Sequence, residues 1–129
     1  MNVYRRSCRN GRFDLDQKGP LLVSVRSVHS KQGEKDSFDS PIADAAVLLD
    51  RDPDDLCQRV SIILGAAAPV PHRAKAAEAA LRGKPVQEQT AREAARAAIA
   101  GAAPLTKNAY KLPIFETLVR RAILVAGQA

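Results

Sequence analysis

A chain of 129 residues has room for one domain with one modest core, since domains commonly run to about 100 to 150 residues. Hydrophobic residues make up 46% and charged residues 26%, which is too apolar for a disordered chain and ordinary for a soluble globular one. The net charge of +6 suits an anionic partner, but the cations alternate with acids, as in AKAAEAALRGK and TAREAARAA, and aromatics are only 4%. That pattern describes a solvated mixed-charge face and lacks the stacking platforms of a nucleic-acid binder.

No apolar run approaches the roughly 20 residues that span a bilayer, and MNVYRRSCRN lacks the apolar stretch of a secretory signal. A cytoplasmic location with no membrane partner is the expectation. Cys8 and Cys57 are too few and too far apart for a zinc site or a disulfide framework, and both read as free thiols.

Residues 1–20 show no sustained period and carry five basic residues against two acidic, so they are expected to form an atypical or poorly ordered leader before a domain over 21–129. LLVSVRSVHS alternates with a period near 2 and suits an edge strand. The polar linker KQGEKDSFDSP, with Gly33 and Pro41, ends it. IADAAVLLD and CQRVSIILG flank the turn-forming Asp52-Pro53-Asp54-Asp55 and predict a β-hairpin. Val60, Ile62 and Leu64 point to one face of the second arm, while the first arm, with three alanines, could begin with a helical turn. Pro69 and Pro71 cannot donate to a sheet ladder, so the strand ends there, and Pro71 suits the first turn of a helix running to Arg82. That helix places Ala74, Ala77 and Leu81 on one stripe, with Gly83 following at positive φ. Pro85 is expected to open a second helix burying Ala91, Ala94, Ala95, Ala98 and Ile99, with Gly101 beyond its end. A third helix, starting between Asn108 and Pro113, presents Phe115, Leu118, Val119, Ala122 and Ile123 at i, i+3, i+4, i+7, i+8. Strands first and three helices after predict an α+β fold, a small antiparallel sheet of about three strands packed on one side by a helical layer.

Chemistry is harder to find. Phosphate-cradling loops need closely spaced glycines, because the backbone must approach the anion unobstructed; the seven glycines form no such cluster. His29 and His72 are solitary, and His72 reads as a surface or capping residue at a helix start. Asp52, Asp54 and Asp55 lack the spacing of a calcium loop and read as a solvated turn. No residue is assigned a catalytic, cofactor-binding or metal-binding role. Lys107, Asn108 and Tyr110, in PLTKNAYKLP, are the one polar cluster with an aromatic, read either as a loop with an Asn cap and a packed Tyr or as a subunit or domain contact.

Three stretches together, KQGEKDSFDSPIADAAVLL, SIILGAAAPVPHRAKAAEAAL and GAAPLTKNAYKLPIFETLVRRAIL, resemble the C-terminal domain of the flavoprotein (medium) subunit of molybdenum hydroxylases, the group of carbon monoxide dehydrogenase and xanthine dehydrogenase. ILGAAAPVPHRA is similar to that family's strand-to-helix signature, and AYK followed by LVRRA to its final helix. The resemblance runs from Lys31 to Gly127 and implies a small α+β sandwich joined in the family to an N-terminal FAD-binding region. It implies a parent complex holding FAD, 2Fe-2S clusters and molybdopterin. The partners would be an FAD-binding domain or subunit, an iron–sulfur small subunit and a molybdopterin large subunit. The glycine-rich loops that hold the flavin belong to the missing region, so no flavin ligand carries over, no cofactor is expected on this chain alone, and it is not expected to be catalytic by itself. Residues 1–20 depart from the pattern, which implies a truncated gene, a split subunit or a mis-set start. The alternative expectation is a freestanding basic interaction domain that binds an acidic protein or nucleic acid.

Overall fold

The computed structural model describes residues 26–33 and 40–128; the expected leader and the first part of the expected first strand lie outside these. Four strands form one antiparallel sheet in the order β1-β2-β3-β4: β1 (Arg26–Gln32), β2 (Ala43–Arg51), β3 (Cys57–Gly65) and β4 (His72–Arg73). The helices α1 (Lys75–Leu81), α2 (Glu88–Ile99) and α3 (Lys111–Gln128) follow. The α+β architecture is the one expected, with a fourth strand added.

Alternation sets the sheet's two faces. Val28, Ala43, Ala45, Val47, Leu49, Val60, Ile62 and Leu64 are all buried toward the helices. The first arm of the hairpin is strand from Ala43 onward, with no helical turn. Its tip is built as Asp-rich turn chemistry requires: Asp52 Oδ1 accepts the backbone N–H groups of Asp54 at 3.0 Å and Leu56 at 2.9 Å, and Asp55 takes a positive φ of 66°, which Asp tolerates better than most residues. A register shift at Asp50/Arg51 marks a bulge beside the turn.

The helices pack by the stripes expected. α3 buries Phe115, Leu118, Val119, Ala122, Ile123 and Ala126, and each fully buried large side chain contributes about 1.5–3 kcal/mol. α2 buries Ala91, Ala94 and Ala95, with Ala98 and Ile99 packed at the core's margin. Between α2 and α3, Glu88 accepts from Arg120 at 2.6 Å and Arg92 at 3.1 Å. Those two hydrogen bonds hold its carboxyl below the ordinary range.

Two helix starts differ from expectation. Pro71 does not open α1: His72 and Arg73 first add two rungs to the sheet, opposite Leu64 and Ile63, and the helix begins at Lys75 with Ala74 as N-cap. The fixed φ of Pro71 suits this extended return, and the chain must double back along β3 before α1 can turn beneath the sheet. His72 therefore lies in a strand and not at a helix start. Pro85 likewise precedes α2 without opening it. Gly83 N–H donates to Cys57 O at 2.8 Å, Cys57 N–H donates to Lys84 O at 2.9 Å, and Leu56 bridges Pro85, so this connection runs strand-like beside the start of β3. Gly83, with φ +75°, makes the sharp exit from α1 possible. α2 starts at Glu88, where Gln87 N–H donates to Thr90 Oγ1 at 3.0 Å and the Thr90 hydroxyl donates to Pro85 O at 2.7 Å.

The join between sheet and helix rests on Glu78, which is 5% exposed on the same stripe as Ala74, Ala77 and Leu81. β4 ends at Arg73, Ala74 N–H still donates to Ile62 O at 2.8 Å, and Ile62 N–H then donates to Glu78 Oε1 at 3.0 Å. Arg73 donates to the same carboxylate from Nε at 2.9 Å and from Nη2 at 3.2 Å. A side-chain oxygen thus continues the ladder that β4 leaves unfinished.

Glu78→Ala strands the Ile62 N–H and is expected to lower stability by roughly 2–3 kcal/mol, whereas Glu78→Gln keeps an acceptor and loses only about 1 kcal/mol, because Arg73 is half exposed. Urea unfolding midpoints with unchanged slope check this; equal losses would show that charge, and not the ladder bond, matters. Burial, opposed by nearby Arg82 and reinforced by Asp50, pushes the Cys57 thiol up to about 11. In a Cys8→Ser background Cys57 is therefore expected to resist a disulfide reagent near neutral pH and to react on unfolding. Reactivity of the folded chain should emerge only as pH rises toward 11.

Candidate functional site

One end of the domain collects three loops. Gln32 pairs with Ala43, Asp44 with Gly65, and Leu64 with His72, so the β1–β2 connection and the segment 66–71 leave the sheet at the same edge. Lys111, at the start of α3, donates from Nζ to Ala66 O at 3.3 Å, which brings the segment 101–110 to that end too. Each of the three sequence stretches quoted above supplies one of these loops.

The described residues at this end expose large apolar side chains. Val70 is 68% exposed, Leu105 74% and Tyr110 56%. Among the described residues these are the large hydrophobic side chains most exposed to solvent, and all three lie on these two segments. Every residue from Ala66 to Arg73 and from Ala100 to Tyr110 is exposed. Proline fixes much of the backbone, with Pro69, Pro71 and Pro104, so exposure is obtained at low conformational freedom. Ala66 adopts φ 57°, a left-handed conformation that costs a non-glycine residue about 1–2 kcal/mol.

The structure brings together Lys107, Asn108 and Tyr110, the contact candidates from sequence. Asn108 acts in the turn through its main chain: its N–H donates to Leu105 O at 2.9 Å and its carbonyl accepts from Lys111 N–H at 3.0 Å. Tyr110 is more than half exposed and lies outside the core cluster. Sequence reasoning missed Val70 and Leu105 as members of the same surface. The signal was available, because each is a large apolar residue beside proline in a segment that cannot be strand or helix.

A flavin's pyrophosphate would need a glycine whose bare Cα faces an anion-sized space. At Gly65 the space a Cβ would need is filled by the Asp44 carboxylate, and at Gly127 by Val86, while Gly83 and Gly101 face open space. A pyrophosphate needs converging amides with positive polarity; the closest approach to a bare Cα in the sheet is by a negative group. The described residues do not fit a dinucleotide cradle. The aspartates of the hairpin tip are engaged in the turn, and no group of three or more His, Cys, Asp or Glu among the described residues is arranged to hold a metal ion. No helix among them is long and apolar enough to cross a membrane.

The fold has counterparts. Quinoline 2-oxidoreductase from Pseudomonas putida 86 matches with a TM-score of 0.75 and 26% identity over 84% of this chain and 39% of that one. Carbon monoxide dehydrogenase from Hydrogenophaga pseudoflava, in a form lacking the Mo-pyranopterin moiety of the molybdenum cofactor, matches at 0.74 and 31% over 83% and 38%. Reconstituted CO dehydrogenase from Oligotropha carboxidovorans matches at 0.75 and 25% over 84% and 39%. The chain thus spans less than two fifths of the length of these solved chains. Comparison with curated protein sequences gave no match. The family described as the CO dehydrogenase flavoprotein C-terminal domain matches residues 29–126, which covers α1, α2, all but the last two residues of α3 and nearly the whole sheet, and the chain belongs to that family.

Proposed function

We propose that this chain serves packing and subunit assembly in a molybdopterin-dependent dehydrogenase of the molybdenum-hydroxylase type, in the cytoplasm, beside an FAD-bearing partner. The observation that carries the reading is the apolar exposure at the loop end. Val70, Leu105 and Tyr110 are exposed on two segments that Lys111 ties together at Ala66, on a domain whose fold accounts for 38–39% of the solved chains it matches. Apolar and aromatic side chains held out on proline-fixed loops suit the core of a protein contact. Lys107 and Asn108 are exposed on the same segment as Leu105 and Tyr110. In this reading FAD, 2Fe-2S clusters and molybdopterin belong to the FAD-binding, iron–sulfur and molybdopterin partners, electron transfer takes place there, and the domain's contribution is shape.

The test is co-expression with the FAD-binding polypeptide encoded nearest to it. A stoichiometric yellow complex is expected on size exclusion, and Val70→Ser with Tyr110→Ser is expected to weaken it by roughly tenfold or more without lowering the melting temperature, since both side chains are exposed. Stoichiometric FAD uptake by the pure chain would sink the proposal, as would salt-sensitive binding to random DNA with no complex formed.

A further inference from the structure

β1 closes one edge of the sheet with little apolar material. Its residues alternate, and the set on the helix-facing side is Arg26, Val28, Ser30 and Gln32, of which Val28 alone joins the apolar core. Among the described residues, the buried side-chain polar atoms without a hydrogen-bond partner are Arg26 Nη1 and Ser30 Oγ, and both belong to this set. Each is costly, because its bonds to water are lost and not replaced. The outward set, Ser27, His29 and Lys31, is polar too, and a strand polar on both faces specifies its register weakly. The sequence just before β1 fits the same slot better. Counting five residues back puts Leu21 in place of Arg26, Val23 in place of Val28 and Val25 in place of Ser30. These would stand opposite Leu49, Val47 and Ala45, which are at most 1% exposed. On the outward face Arg26 would replace Lys31 opposite Asp44, so a cation still meets that carboxylate. Both orphaned atoms leave the core.

We infer that β1 exchanges between the register Arg26–Gln32 and a second register, Leu21–Ser27, against the same edge of β2. The shift is odd and swaps the strand's two faces, so the strand has to leave β2, turn about its own axis and rebind; it cannot slide. The β1–β2 connection grows from residues 33–42 to residues 28–42, which adds little closure entropy. Against the gain in burial, the register of the structure keeps the shorter connection and the bond from Ile42 N–H to Gln32 O at 2.8 Å. Because that connection leaves the sheet at the loop end, a partner docking there meets a different chain in each register and biases the exchange. This linkage to assembly rests on the reading above, whereas the exchange itself does not.

The test is methyl NMR on the full chain, read at Val47, which lies opposite Val28 in β1. Saturation transfer is expected to reveal a minor state of the Val47 methyls, in contact with Val28 in the major state and with Val23 in the minor one. Ser30→Val gives the first register an apolar residue where it now buries an unpaired hydroxyl, and leaves the second register untouched, so it should lower the minor population by roughly tenfold or more. Val28→Asp puts a charge in the core of the first register and in the connection of the second. That variant is expected to stay folded with Val23 against Val47. A Val28→Asp chain that unfolds or never brings Val23 to Val47 would overturn the inference. So would a wild-type Val47 that samples a single state, or a minor state that Ser30→Val leaves unchanged.

Discussion

The hydrogen bond from Ile62 N–H to Glu78 Oε1, at 3.0 Å, is the constraint on which the arrangement of this domain turns. A two-residue strand cannot cover the edge of a nine-residue one, and an open ladder facing a helix would leave a buried amide unsatisfied. The carboxylate solves this from within the helix. Because Glu78 sits four residues after Ala74, it shares the buried stripe with Ala77 and Leu81, so the same helical turn that satisfies β3 also closes the core. Arg73, the last residue of β4, neutralises the charge. Sheet, edge strand and first helix are thereby locked in one register.

That lock decides where everything later in the chain must go. α1 runs beneath the sheet to the end that carries the hairpin tip, where Gly83 turns it back along Cys57. α2 returns to the opposite end, and α3 crosses once more, from the segment beside Ala66 back to Val86, against which Gly127 packs without a Cβ. Two helix passes, out along α1 and back along α2, leave the start of α3 beside the loop after β3. Two proline-containing segments far apart in sequence are therefore brought to the same end of the domain.

Periodicity made the helices legible, because the stripes of α2 and α3 are long and each position agrees with its neighbours. The hairpin was legible because Asp and Pro carry turn chemistry in their own side chains. What escaped was set by partners distant in sequence. The rungs at His72 and Arg73 exist because β3 lies alongside, and nothing in the dipeptide itself says strand. The delayed start of α2 depends on Cys57 and Leu56 claiming the segment Gly83–Pro85. Glu78 was the one detectable exception: an acid on an otherwise alanine and leucine stripe, five residues after an arginine, implies a buried and satisfied carboxylate. The loop surface was half legible. Lys107, Asn108 and Tyr110 stood out as a cluster, whereas the segment carrying Val70 is brought to the same end only by the return of the helices, where Lys111 holds Ala66 O.

Backbone strain connects the lock to the surface. Ala66 holds a left-handed conformation at the point where β3 leaves the sheet, although alanine carries the steric penalty that glycine there would avoid. Such strain persists only where the surroundings over-determine it, and here they do: Asp44 lies over Gly65 on one side and Lys111 holds Ala66 O on the other. A chain free to relax would turn Val70 inward, since burying it is favourable by about 1.5–3 kcal/mol. Instead, the fold holds that side chain outward. Holding apolar surface in water against both strain and burial is consistent with a domain whose free energy minimum is reached in contact with another protein.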